Sequence, residues 1–170
     1  QASKFTAVDI SPNEKLICTG NSNGTLQIWS LNLGLALAIF NNHFKCILKT
    51  IFLKKTSRFL LSCSADGSLK IFDLKKLIII KTMENHARSI GFEFFDINYS
   101  NKLLVGSCNT KQGIYIWSLK TGNLKEVLSV SNFEIVGLQF IGRKNQFISN
   151  DKNGSFKLWN LYLSPTSSLK

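Results

Sequence analysis

Ile28-Trp29-Ser30-Leu31, Ile71-Phe72-Asp73-Leu74, Ile116-Trp117-Ser118-Leu119 and Leu158-Trp159-Asn160-Leu161 repeat one phrase: an aliphatic residue, an aromatic, a polar residue and a leucine. The aromatics stand 43, 45 and 42 residues apart. A repeat of that length is one four-stranded blade of a β-propeller and few other things. Working upstream, a hydroxyl lies ten residues before each aromatic, at Thr19, Ser62, Ser107 and Ser149. Five before come Gly24, Gly67, Gln112 and Gly154, with Asn23, Asp66 and Asn153 preceding the three glycines. Asn-Gly and Asp-Gly predict two-residue hairpins, because both turn positions of that hairpin need positive φ. The third copy, Asn109-Thr110-Lys111-Gln112-Gly113, slips its glycine by one and reads as a longer loop.

Four strands per unit account for the rest, and no stretch has helical period. Inner strands are expected at 5–10, 47–53, 89–95 and 135–140. Second strands come at 16–21, 59–64, 103–108 and 146–150, with the aromatic-bearing strands third. Outer strands fall at 35–40, 77–82 and 124–128. The chain therefore reads as an all-β, partial propeller over 1–163, with blades at about 5–40, 45–82, 89–128 and 134–162. The remaining 164–170, rich in serine, reads as a disordered tail. Since a propeller closes with about four to eight blades, four antiparallel blades are expected to be an arc of a larger ring. Such an arc bares one apolar side at each end and is expected to self-associate.

These features together resemble the WD-repeat family, whose rings usually have seven blades. The resemblance implies a network in which a histidine before the inner strand bonds the hydroxyl and the turn acid, and the hydroxyl meets the strand-three tryptophan. The positions are Thr19 and Trp29 in blade one; His43, Ser62, Asp66 and Phe72 in blade two; His86, Ser107 and Trp117 in blade three; Ser149 and Trp159 in blade four. No blade has the full set. Phe72 lacks an indole donor, Lys111 takes the acid's place in blade three, and blade four has no histidine.

His43 and His86 are the only histidines, and their spacing of 43 residues equals the repeat. They read as equivalent structural positions rather than metal ligands. Four scattered cysteines, Cys18, Cys46, Cys63 and Cys108, suggest neither a zinc site nor a disulfide framework and fit buried thiols in a reducing compartment. No catalytic carboxylate pair, phosphate loop, metal site or cofactor motif is found, and the longest apolar run, 33–40, is too short to span a bilayer. The reading is a non-catalytic scaffold, with no membrane partner and no small-molecule substrate.

The net charge is +11, from 21 Lys and Arg against 10 Asp and Glu. Codon bias in an AT-rich genome explains a lysine surplus as well as a binding role does. The distribution is uneven, however. The loops joining first to second and third to fourth strands carry Lys15, Lys54, Lys55, Arg58, Lys75, Lys76, Lys102, Lys120, Arg143 and Lys144, against Glu14, Asp73 and Asp96. One rim is thus basic and suits a phosphate backbone or an acidic protein tail. The strongest candidates are Lys54, Lys55, Arg58, Lys75, Lys76, Arg143 and Lys144.

Ala7-Val8-Asp9-Ile10-Ser11-Pro12-Asn13, the Phe72 blade and the enlarged turn before Trp117 further resemble one branch of the family, the WD-repeat subunits of the small-subunit processome. That resemblance implies a nucleolar ribonucleoprotein, other WD-repeat subunits as partners, and pre-ribosomal RNA or small nucleolar RNA reached through the basic face. The alternative is a WD-repeat adaptor of another multiprotein complex.

Overall fold

A computed structural model of the chain describes residues 3–53, 57–84, 92–108, 111–130, 134–142 and 145–161. Among them are fifteen strands and no helix. Blade one is β1 (Phe5–Ile10), β2 (Leu16–Asn21), β3 (Leu26–Ser30) and β4 (Ala36–Phe40). Blade two is β5 (Ile47–Phe52), β6 (Phe59–Ser64), β7 (Ser68–Asp73) and β8 (Ile78–Glu84). Blade three is β9 (Phe94–Asn98), β10 (Leu103–Cys108), β11 (Lys111–Ser118) and β12 (Leu124–Ser129). Blade four has β13 (Ile135–Phe140), β14 (Gln146–Asp151) and β15 (Phe156–Asn160). Each blade is one antiparallel sheet in chain order.

The chain divides into two compact units, residues 1–93 with 121–123, and residues 94–120 with 124–170. In the first unit, Cys18, Leu26 and Ile28 of blade one pack with Phe52, Leu60 and Phe72 of blade two. In the second, Val105, Ile114 and Ile116 pack with Phe140, Phe147 and Trp159. Side chains of a strand alternate between sheet faces, so each blade offers a different apolar set to either side. The extra residue that breaks the register of inner and second strands falls between Phe5 and Ala7, Ile47 and Lys49, and Ile135 and Gly137, the same place in three blades. Bulges of this kind bend a strand and re-aim the side chains beyond the bend.

Three expectations need correction. The inner strand of blade three is β9 and runs Phe94–Asn98 rather than over 89–95; 85–91 lie outside the described residues, as do 162–170, the expected tail. The Asn-Gly and Asp-Gly turns are not two-residue hairpins. Gly24, Gly67 and Gly154 have φ near +80 to +86°, whereas Asn23, Asp66 and Asn153 do not have positive φ. The loops span four residues in blades one and four and three in blade two, with the glycine N–H donating to the carbonyl of Asn21, Ser64 or Asp151. The acid's work is done by its side chain: Asp66 Oδ1 accepts the Ser68 N–H at 2.9 Å, and Asn23 Oδ1 the Thr25 N–H at 3.1 Å. Such side-chain turns explain Asn and Asp there without left-handed backbone at that residue.

The third correction concerns Ser107. Trp29, Phe72 and Trp159 pair across the ladder with Ile17, Leu60 and Phe147, twelve residues upstream, whereas Trp117 pairs with Leu104, thirteen upstream. The enlarged turn adds one residue, and a one-residue slip flips a side chain to the other face. Gly106 therefore occupies the place of Thr19, Ser62 and Ser149, and Ser107 takes the opposite face. Its buried Oγ has no hydrogen-bond partner among the described residues.

Candidate functional site

The densest polar cluster lies in blade two. The loop that carries His43 runs from β4 to β5 and crosses the turn of blade one at Gly24, where a Cβ would come within 2.4 Å of the His43 carbonyl oxygen. Glycine is thus required there twice, for its positive φ and for this approach. His43 is buried. Its Nδ1 lies 2.9 Å from Asp66 Oδ2 and its Nε2 lies 2.6 Å from Ser62 Oγ. With Nδ1 donating to the carboxylate, Nε2 accepts the Ser62 hydroxyl proton. Ser68 Oγ donates to Asp66 Oδ1 at 2.6 Å, and the Phe44 N–H donates to Asp66 Oδ2 at 3.1 Å. Burial disfavours ionisation of Asp66, but hydrogen bonds from His43, Ser68 and the Phe44 N–H hold its carboxyl well below the usual carboxylate range.

Serine, histidine and aspartate are linked here in the order of a hydrolase triad. The chemistry does not follow, because Ser62 is wholly inaccessible and the His43 side chain is 1% exposed. No acyl group can reach Ser62 Oγ, and every polar atom of the trio is spent on the fold. A cleft of about 300 Å³ opens beside the network, lined by Phe44, Lys45, Asp66, Ser68, Lys70 and Glu84, but Ser62 is not on its wall.

The other blades solve the same problem differently. In blade one the Trp29 Nε1–H donates to Thr19 Oγ1 at 2.9 Å, and in blade four Trp159 Nε1–H donates to Ser149 Oγ at 2.8 Å. Phe72 is fully buried 4.9 Å from Phe40, and its missing indole is replaced at Ser62 by His43. Trp117 stacks on Tyr115 at 5.7 Å. His86 lies outside the described residues.

Of the basic rim, Lys54, Lys55, Arg143 and Lys144 lie outside the described residues, while Arg58, Lys75 and Lys76 are exposed. Arg58 is committed to buried Asp73: Nε lies 3.0 and 3.1 Å from its two carboxylate oxygens, and Nη2 2.5 Å from Oδ2. The hydrogen bond from Arg58 lowers the Asp73 carboxyl to about 2, helped by the Lys76 and Lys75 N–H groups. Asp96, counted with the loops, lies within β9 and accepts the Phe140 N–H at 2.7 Å. Asp9 in β1 accepts the Phe52 N–H at 2.6 Å. These two acids, 87 residues apart, tie one blade's inner strand to the next within each unit. Sequence reasoning passed over them, although an Asp-Ile pair recurring in two inner strands was the available signal. Among the described residues, no group of histidine, cysteine and acid side chains could hold a metal ion, and burial pushes the Cys18 thiol pKa up, keeping it neutral.

The WD domain, G-beta repeat family matches residues 2–30 and 35–73. The chain is 24% identical over 158 residues to Periodic tryptophan protein 2 homolog of Caenorhabditis elegans, covering 93% of this chain and 17% of that protein. It is 25% identical to Periodic tryptophan protein 2 of Arabidopsis thaliana, over 92% of this chain and 17% of that protein. Nuclear distribution protein PAC1 of Candida dubliniensis is 28% identical over 90% of this chain, which spans 30% of its length. The chain thus spans about a sixth of the first two relatives. Among solved structures, the Cps50 (Swd1) β-propeller domain of Myceliophteria thermophila superposes with a TM-score of 0.80 at 14% identity, over 94% of this chain and 54% of that one. The computationally designed Ika4 protein superposes with a TM-score of 0.76 at 22% identity, over 95% and 93%. The sheets are therefore blades of a β-propeller.

Proposed function

We propose that the chain is a WD-repeat protein, in keeping with the repeat match over residues 2–30 and 35–73 and the propeller fold, and that it is a non-catalytic scaffold segment of a small-subunit processome subunit, acting in pre-ribosomal RNA processing and small-subunit assembly in the nucleolus. The carrying observation is the similarity to Periodic tryptophan protein 2 from two organisms over more than nine-tenths of the chain. The blades supply the structural half of the reading: their buried serine, histidine and acid groups hold loops, and Ser62 and His43 are closed to a substrate. In this role the chain belongs to a larger ring, its partners are other WD-repeat subunits, and the lysines of the rim contact RNA phosphates. Contacts of that kind are salt-sensitive and weakly specific, because phosphates carry no sequence information. The PAC1 similarity favours a second reading, an adaptor in another complex.

Affinity purification of the tagged full-length protein separates the two. Ribosomal RNA precursors are expected in the eluate, and their absence overturns the processome reading. Reversal of Lys54, Lys55, Arg143 and Lys144 to Glu is expected to lower RNA retention at low salt; unchanged retention removes the rim as the contact.

A further inference from the structure

One position of the basic rim recurs in all four blades. The N–H of the leucine that closes each repeated phrase, Leu31, Leu74, Leu119 or Leu161, donates to the carbonyl of Lys15, Arg58, Lys102 or Asn145 in turn. The residue after each of those four, Leu16, Phe59, Leu103 or Gln146, pairs across the ladder with Ser30, Asp73, Ser118 or Asn160. Arginine, phenylalanine and aspartate therefore meet in blade two alone. The turn does not ask for them, because in blade one the Ser30 hydroxyl holds it by accepting the Leu33 N–H at 3.2 Å. Burying a carboxylate is unfavourable until a cation offsets its desolvation. The fold, which takes serine at this place in two other blades, gives no reason for the trio.

What the trio does is hold a guanidinium plane still. Nε and Nη2 of Arg58 both lie on the Asp73 carboxylate, and Cζ sits 4.9 Å from the centre of the Phe59 ring. One edge and one face of the plane are thereby fixed, yet the Arg58 side chain stays 42% exposed while that of Asp73 is 3% exposed. The two-pronged edge that grips a phosphate or carboxylate is already spent on Asp73. Left over are Nη1, which has no partner among the described residues, and the second face of the plane. A flat cation backed by an aromatic ring suits the π-face of a nucleobase. Lys75 and Lys76 follow on the same loop, exposed, their N–H groups donating to Asp73 Oδ1 at 3.0 and 3.3 Å. Because Asp73 cancels the charge of Arg58, these two lysines supply the net positive charge that phosphates require.

We propose that Arg58, clamped by Asp73 and backed by Phe59, is a stacking platform for one unpaired base of single-stranded RNA, with Lys75 and Lys76 on the flanking phosphates. This rests on the reading of the rim as an RNA contact and sharpens it. Lysines alone would hold duplex and single strand alike through their phosphates. A stacking plane prefers the single strand, whose bases are free to splay out, and it tolerates any sequence because every base has a π-face. An acidic peptide offers the plane no such face and finds its carboxylate-binding edge occupied.

Fluorescence anisotropy on the purified full-length protein tests this with three probes: a short unstructured RNA, the same strand in duplex form and a polyglutamate peptide. Arg58→Lys keeps the charge beside Asp73 and removes the plane. It is expected to weaken the single strand about tenfold, the worth of one stacked base, and to hold the duplex within about twofold. Lys75→Gln with Lys76→Gln is expected to weaken both RNAs and to lower the single-strand salt slope by about 1.4. Thermal melting checks folding; if Arg58→Lys unfolds, Phe59→Leu, which leaves the ion pair in place, is expected to show the same selective loss. Unchanged single-strand binding in a folded variant overturns the proposal. Equal losses for single strand and duplex, or for RNA and polyglutamate, overturn it too, because Arg58 is then only an anion contact. Selective loss without ribosomal RNA precursors in the affinity eluate leaves the platform standing and overturns the processome reading; precursors present with no selective loss do the reverse.

Discussion

Blade two and blade four bury the same serine, Ser62 and Ser149, at the same ladder position, yet satisfy it from opposite directions. In blade four the partner comes from within the sheet, as the indole N–H of Trp159. In blade two it comes from the preceding loop, as the imidazole of His43. The lesson is that the hydroxyl, not the tryptophan, sets the demand: a buried hydroxyl needs one partner, and an indole N–H that donates to it or an imidazole nitrogen that accepts from it serves equally. Once His43 meets the need, the aromatic position is free to be purely apolar, and Phe72 packs there without solvent contact. The blade-two solution is also broader, because it fixes the loop at Phe44 and the turn at Ser68 through Asp66.

That breadth predicts unequal costs. His43→Ala leaves Ser62 without its partner and Asp66, partly buried, without its imidazole donor, and is expected to cost about 3 kcal/mol. Urea unfolding would read it; a loss no larger than that of Trp159→Phe would break the comparison. Acid should expose the same network. The Asp66 carboxyl is held below its unfolded value of about 4, so its stabilisation is complete above that pH and is lost as pH falls below it. Asp66→Asn should therefore flatten the decline in stability of the parent chain between about pH 5 and pH 3. Next in size is Asp9→Ala, which strips a carboxylate from the buried N–H of Phe52, for about 2 kcal/mol by the worth of charged hydrogen bonds. Asp96→Ala should match it in the second unit. A pair of values differing several-fold would show that the two contacts are not equivalent.

The blade rhythm was legible because four aromatics, three glycines and alternating aliphatics all report one period. Strand bounds matched closely wherever hydrophobic alternation met a turn residue, as at Phe5–Ile10 and Phe59–Ser64. What the residues could not convey was register. Counting ten back from Trp117 lands on Ser107, but one added residue in the turn rotates that serine to the opposite face and puts Gly106 in its place. Spacing along the chain measures distance, whereas a ladder responds to parity. The turn geometry was missed for a related reason: Asn-Gly marks both a two-residue hairpin and a longer loop ending in a left-handed glycine. Asp9 drew no attention and Asp96 was counted with the loop acids, since nothing within a blade reveals that the next blade brings an N–H.

The smallest effect isolates the single bond on which the comparison rests. Trp159→Phe keeps the ring and most of its packing on Phe147, 6.0 Å away and nearly parallel, but removes the one donor to Ser149 Oγ found among the described residues. With Ser149 buried, the unmade bond should cost about 1 kcal/mol. Adding Ser149→Ala should recover most of that loss, because deleting both partners removes the demand along with the supply. The equivalent recovery is not expected in blade two from Ser62→Ala added to His43→Ala, since Asp66 would still lack its imidazole. A double-mutant cycle in each blade therefore distinguishes a lone pair from a network. Equal coupling energies in both would mean that His43 does nothing for blade two beyond what one indole does for blade four.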